Sequence, residues 1–142
     1  MKTRIVQKAV ILHSDGDMLM LRRSKTDARR PLQWDLPGGI REKGEELLAS
    51  VTREISEETG LEVSDLEPVY SKTEVRTWND GKREHTNNVV FIFYTAHAKV
   101  KDVKLSFEHD QFEWQPMQRA VTKFEYPTQK QLLQHLLDNK LA

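Results

Sequence analysis

Cysteine is absent from the 142 residues. That excludes disulfides, thiolate zinc sites and thiol nucleophiles; it fits a reducing compartment, so the expected location is cytoplasmic. Proline (5) and glycine (6) are scarce, and no Pro-, Ser- or Gly-rich linker, low-complexity tract or internal repeat interrupts the chain. Neither sign of charge is in excess, because 22 Lys plus Arg balance 22 Asp plus Glu. Proteins built for duplex nucleic acid or an anionic membrane usually show a basic surplus. The expected partner is therefore a small soluble molecule, with no stable nucleic-acid complex and no membrane. Long apolar runs are missing as well: Met1 to Val10 lacks the core of a signal peptide, and nothing approaches the ~20 residues of a membrane span. The length fits one domain, taken as 1–142. A homodimer stays open.

What is present alternates strand and helix signals. Ile5–Leu12 has the apolar content of a buried strand, Ser14-Asp15-Gly16-Asp17 signals a turn, and Met18–Leu21 a second short strand. A basic loop from Arg22 to Arg30 leads to Trp34, Leu36 and Pro37-Gly38-Gly39, a short strand breaking into a tight turn. Glu45–Thr59 is the clearest helix, with Leu47, Leu48, Val51 and Ile55 at helical spacing, an acidic first turn and Gly60 as its stop. Val69–Thr77 and Asn88–Ala98 are expected as strands, with Asp80-Gly81 as the hairpin signal between them. Gln111–Gln115 adds a short strand, Pro116–Ala120 a helical turn, and Pro127 starts a final helix to about Leu137. The predicted class is α+β, with helices layered on a mixed sheet.

The central helix carries its charge in an unfavourable place. On a wheel started at Leu47, Val51, Ile55 and Leu48 fall at about 40°, 80° and 100°, while Glu54, Glu57 and Glu58 fall at about 340°, 280° and 20°. Three carboxylates thus share one flank at the edge of the apolar stripe. Like charges at i+3 and i+4 cost roughly 0.2–0.5 kcal/mol per pair, and the C-terminal half of a helix disfavours anions. A Glu-rich solvated face partly neutralised by Arg53 is the bland account. A hard divalent cation such as Mg²⁺ or Mn²⁺ is the other, since it takes oxygen ligands and bridges to phosphates.

From Gly39 to Leu61 the chain runs GIREKGEELLASVTREISEETGL. It resembles the Nudix hydrolase family (MutT-like), whose box G-x5-E-x7-R-E-U-x-E-E-x-G-U is matched at Gly39, Glu45, Arg53, Glu54, Ile55, Glu57, Glu58, Gly60 and Leu61. Chance would supply such a match in a chain this short with a probability of ~10⁻⁷. The resemblance implies an α/β/α sandwich, with the catalytic helix within 45–59, a mixed sheet and a C-terminal helix. It implies an enzyme cleaving the phosphoanhydride of a nucleoside diphosphate linked to another group, with Mg²⁺ or Mn²⁺ as cofactor. Glu54, Glu57, Glu58 and the Gly39 carbonyl resemble the metal ligands. Glu54 or Glu57 would take the proton of the attacking water, Arg53 and Glu45 would support the loop and helix, and Gly60 would have a conformational role.

Outside the box, Glu108 stands before Glu113-Trp114 at a spacing similar to an extra metal ligand of triphosphatase members, with His109 and Asp110 as weaker alternatives; Glu108 is equally a polar loop residue. Arg23 resembles the arginine that follows this strand in many Nudix sequences, and a guanidinium fork matches phosphate oxygens. Arg22, Lys25, Arg29 and Arg30 are further basic candidates. Trp34, Leu36, Phe124 and Tyr126 are candidates for contacting a base, set against their commoner use in packing. Trp78, beside the hairpin turn, suits an edge cover, a dimer contact or a lid. The five histidines show no zinc-like spacing and read as ordinary. The proline common past the box in ADP-ribose members is replaced by Arg76-Thr77-Trp78, and the tyrosine of dinucleoside-polyphosphate members is missing. These departures favour nucleoside triphosphates, oxidised ones such as 8-oxo-dGTP included, yielding monophosphate and pyrophosphate. Nucleotide sugars, ADP-ribose or non-nucleoside diphosphates are the alternative, and a non-catalytic ligand-sensing domain is the alternative of another class.

Overall fold

The computed structural model describes residues 2–140. Strand β1 is Lys2–Leu12 and β2 is Asp17–Arg23; two short strands follow, β3 (Trp34–Asp35) and β4 (Gly38–Ile40), then helix α1 (Leu47–Thr59). A long hairpin, β5 (Val63–Asn79) and β6 (Glu84–Ala98), leads to β7 (His109–Pro116), the turn α2 (Met117–Ala120) and helix α3 (Pro127–Asn139). All seven strands form one mixed sheet with the path β3-β2-β1-β6-β5, β4 joining β1 and β7 joining β2. Among the described residues no helix is long and apolar enough to cross a membrane.

Period-two alternation splits the core between the faces of this sheet. Val10, Met18, Met20, Val89, Phe91 and Phe93 pack with Phe124, Leu132, Leu133 and Leu136 from the α3 side. Ala9, Ile11, Leu19, Leu21 and Tyr94 pack with Val51 and Ile55 of α1 on the other. The expected α/β/α sandwich is therefore present.

Several boundaries shift. Helix α1 starts at Leu47, because Glu46 acts as N-cap and its carboxylate accepts from Ala49 N at 3.0 Å; the acidic residues expected in the first turn precede the helix. Leu48 does not join the apolar stripe and is 46% exposed. Strand β5 begins at Val63, well before Val69, because Asp65 (φ 57°) and Pro68 lie at two register shifts of an edge strand and do not end it.

The arrangement that builds the site is a divergence of β1 from β2. They pair only at Leu12↔Met18. Beyond that, β1 pairs β4 through Val6–Lys8, and β2 pairs β3 at Leu21↔Asp35 and Arg22↔Trp34. The segment 34–40 fills the opening, tied by Ala9 N to Pro37 O and Arg23 N to Gln33 O, both 2.9 Å.

Candidate active site

The wedged segment delivers Gly38 and Gly39 to the C-terminal half of α1. Gly39 packs so closely that a Cβ there would lie 2.9 Å from the Glu54 carboxylate. At Gly38 (φ 135°) a Cβ would come 2.0 Å from the Gln7 carbonyl oxygen. Gly38 N donates to Glu58 Oε1 at 2.8 Å, so the turn and helix are joined by a buried bond. Gly60 ends α1 at φ 71°, its N–H returning to Ser56 O.

One wall of the resulting cleft is acidic. Glu54, Glu57, Glu58 and Glu108 line it, with Gly39 and Arg53. Arg53 engages Glu45 through two bonds of 2.9 Å, and reaches Glu57 at 3.1 Å and Glu54 at 3.2 Å. Glu45 also accepts from Glu42 N at 3.0 Å, and its carbonyl from Arg41 Nε at 2.7 Å. The Arg53–Glu45 pair therefore braces the loop against the helix while drawing charge from the other glutamates. Burial raises the Glu54 pKa against the pull of Arg53, and Glu57 and Glu108 add to the rise. Glu108 is thus within electrostatic reach of the box, although it comes from the loop before β7. Among the described residues, no three acidic or histidine side chains converge into a ready-made metal cage. The donors are nonetheless all oxygen, and their crowded charge is met chiefly by Arg53; that chemistry fits a hard divalent ion.

Glu58 carries a measurable signature of this environment. Only 3% exposed, its carboxyl is pushed up by burial to about 8 although Lys8 and the Gly38 N–H oppose the rise. Because this lies above the ordinary value of 4.5, the folded chain holds a proton that the unfolded chain has lost between those pH values. The chelated protein should therefore lose stability as pH rises through that window. His109, held down to about 4 by burial, acts oppositely below about 6.5, so the clean range lies above that. Between pH 6.5 and 8, unfolding free energies from denaturant titration should fall by roughly 2 kcal/mol. Glu58→Gln should flatten the slope, and a flat wild-type profile would contradict this electrostatic account.

The opposite wall is basic and partly buried. Lys8, Arg23, Arg29, Arg30 and Arg76 line it with Tyr126. Asp35, fully buried, anchors three of these cations, Lys8, Arg23 and Arg30. Its Oδ2 accepts from Arg23 at 2.7 Å and Lys8 at 3.3 Å, and its Oδ1 accepts from Gln129 Nε2 at 2.6 Å. Burial alone would raise the Asp35 pKa, but Lys8, Arg30, Gln129 and Arg23 together hold it well below the usual carboxylate range. Lys8 also donates to the carbonyls of Leu36 (3.1 Å) and Gly38 (3.2 Å), fastening the wedge to β1. Arg30 lies over the Tyr126 ring at 4.2 Å, and Arg76 donates to the Tyr126 hydroxyl. The cleft between the walls holds about 580 Å³.

The box residues Gly39, Arg53, Glu54, Glu57 and Glu58 thus meet Glu108, Arg23 and Tyr126 in one place. Leu36 and Phe124 do not face the cleft; both are buried in the core against α3, so their apolar surface goes to packing. Trp34 packs against that core too, with Lys123 Nζ 5.9 Å from its ring. Arg22 pairs outward with Asp110 at 2.8 Å. Trp78 stacks on His85 at 5.2 Å and lines a second hollow of about 560 Å³ beside the cleft. Lys8, Asp35 and Gln129 were not expected at the site, whereas His109, a weaker alternative to Glu108, does line it. Of those three, only Lys8 left a signal, a cation inside the apolar run of β1.

A family model described as NUDIX domain matches residues 2–136. The nucleoside triphosphatase NudI of Escherichia coli O81 (strain ED1a) is 31% identical over 108 residues, 73% of this chain and 76% of that protein. The MutT protein from Methanosarcina mazei Go1 is 26% identical and superposes with a TM-score of 0.74, covering 98% of this chain and 96% of that one. An Ap4A hydrolase of C. elegans, 20% identical with a TM-score of 0.68 over 99% and 98% of the chains, shares the fold. A fold common to proteins named for such different substrates does not choose among them. The full box on its helix, its carboxylates gathered in one cleft, and these matches lead to one conclusion: the chain belongs to the NUDIX domain family, among the MutT-like Nudix hydrolases that act on phosphoanhydride bonds.

Proposed function

We propose that the chain hydrolyses nucleoside triphosphates to a nucleoside monophosphate and pyrophosphate with Mg²⁺ or Mn²⁺. The observation that carries this reading is the division of the cleft into an acidic wall on the box and a basic wall facing it. Nudix hydrolases generally need divalent metal ions, and NudI, named as a nucleoside triphosphatase, supports the substrate class. Glu54, Glu57, Glu58 and the Gly39 carbonyl would hold the ion, with Glu108 as an added ligand. Bound there, it would neutralise charge on the polyphosphate and acidify a water.

The chain's own groups account for the rest. A water oxygen attacks phosphorus, the anhydride P–O bond breaks, and the electron pair leaves with pyrophosphate. Glu54 suits the proton acceptor, because burial raises its proton affinity and it stands beside the Gly39 turn. Glu58 suits this role less, being bonded to Gly38 N and almost closed to solvent. Arg23 and Arg30 offer charge to the non-reacting phosphates, and Tyr126 offers a ring face to the nucleoside.

A substrate panel with Mg²⁺ tests this directly: canonical triphosphates, 8-oxo-dGTP, nucleotide sugars, ADP-ribose, dinucleoside polyphosphates and non-nucleoside diphosphates. Triphosphates should give the highest kcat/KM, with pyrophosphate as product. Preference for a sugar or dinucleoside substrate would move the reading to the alternative, and binding without turnover would move it to a sensor.

A further inference from the structure

We propose that Asp35 is a positioning residue for substrate selection, fixing the polarity of the Gln129 side-chain amide so that the cleft offers a hydrogen-bond acceptor there. The inference rests on the nucleotide reading above and adds the chemical character of the group recognised.

Six buried side-chain polar atoms among the described residues lack a partner, and four of them belong to residues lining the cleft: Arg23 Nε, Arg30 Nη1, His109 Nδ1 and Gln129 Oε1. Unpaired buried polar atoms are rare in folded proteins, and a cluster of them marks a place where a ligand completes the bonding. Gln129 is 1% exposed, so its amide does not turn freely in solvent. Its Nε2 is held by Asp35 Oδ1 at 2.6 Å. That carboxylate is ionised between Lys8 and Arg23, and an ionised carboxylate only accepts hydrogen bonds. Reversing the amide would set its carbonyl against the carboxylate. The chemistry of Asp35 thus assigns the amide orientation independently of where an N or O atom is drawn.

The unpaired carbonyl therefore accepts, and the ligand edge it meets must donate. Tyr126 lines the same cleft with Arg30 on its ring, a setting suited to a planar ring bearing an exocyclic amino group. Asp35 makes no substrate contact itself. It also ties Gln129 to Lys8, which holds the Gly38 carbonyl, so one carboxylate links the selecting residue to the turn of the acidic wall.

The test is kcat/KM for two substrate pairs, ATP with ITP and CTP with UTP. Each pair exchanges an exocyclic amino donor beside an acceptor ring nitrogen for a carbonyl acceptor beside a ring N–H. Wild type should favour the amino member of at least one pair by about tenfold or more, the scale of a site built around a hydrogen bond. Asp35→Asn should bring that ratio within about threefold, because an amide at 35 both donates and accepts and lets Gln129 turn. A structural role would lower both members equally and leave the ratio intact, which overturns the proposal. Gln129→Met, which removes the amide without touching the Lys8–Asp35–Arg23 contacts, should collapse the ratio likewise; a ratio that survives it also overturns the proposal, whether or not Asp35→Asn folds. Hydrolysis without discrimination in either pair overturns this inference alone. If no triphosphate is hydrolysed, the proposed function fails and this inference with it.

Discussion

Glu54→Gln and Glu57→Gln are each expected to lower kcat by about three orders of magnitude, within the range that general-base loss produces. Both substitutions keep side-chain length and remove a negative charge. The folded state should tolerate that, because the three box glutamates repel one another at the end of a helix that disfavours anions. Melting temperatures should therefore hold or rise even as turnover collapses. The pair also separates roles. Glu57 is the more exposed, with 58% of its side chain open against 17% for Glu54, and it leans on Arg53 rather than on the turn. Its loss should respond more strongly to added metal, whereas the loss of Glu54 should persist at saturating metal and alter the pH profile. Product release measured across metal concentration and pH reads both effects. Either variant retaining more than about a tenth of wild-type turnover would remove that residue from its role.

Two adjacent glycines should fail in opposite ways. Gly38→Ala is expected to destabilise the fold by about 3–5 kcal/mol, the range of severe substitutions. Its Cβ would stand 2.0 Å from Gln7 O and 2.8 Å from Lys8 Cα, both backbone atoms of a strand that cannot retreat. Positive φ adds strain for any L side chain. At Gly39 the obstructing atoms are instead the tip of Glu54, which can swing aside. Gly39→Ala should accordingly fold with stability within about 1 kcal/mol of wild type and lose 10- to 100-fold in kcat, since small displacements of a reacting group are that costly. Thermal melts with parallel turnover assays decide it. Equal loss of stability in both variants would refute the distinction.

Some of the site is legible in the sequence and some is not. Fixed spacing within Gly39–Leu61 lies on one turn and one helix, where neighbours in sequence are neighbours in space, so the box could be read residue by residue. The buried contacts behind the cation wall could not. Lys8, Asp35 and Gln129 come from β1, the wedge and α3, and only the divergence of β1 from β2 makes them meet. Among the base-contact candidates, Leu36 and Phe124 have the composition of either a base contact or a core, and the structure buries both against α3, whereas Tyr126 lines the cleft. Strand β5 extends back past the expected start at Val69, because an edge strand admits Pro68 at a bulge. Glu108, singled out by its spacing, lines the cleft, and so does its neighbour His109, whose burial no local pattern in the sequence signals.

The parallel pairing of β1 with β6 bears on how the molecule assembles. Its register runs from Lys2↔Asn87 to Leu12↔His97, so the first strand finds its partner only after most of the chain has been synthesised. The β5–β6 hairpin closes over a short turn and can form in microseconds. The β1–β6 ladder must close a loop spanning the whole Nudix box, which is slow. Because Lys8 arrives with β1, the wedge and its catalytic turn are fastened only at that step. Recovery of turnover during refolding should then lag the recovery of hairpin structure, and enzymatic activity would serve as a clock for the final docking of the N-terminal strand.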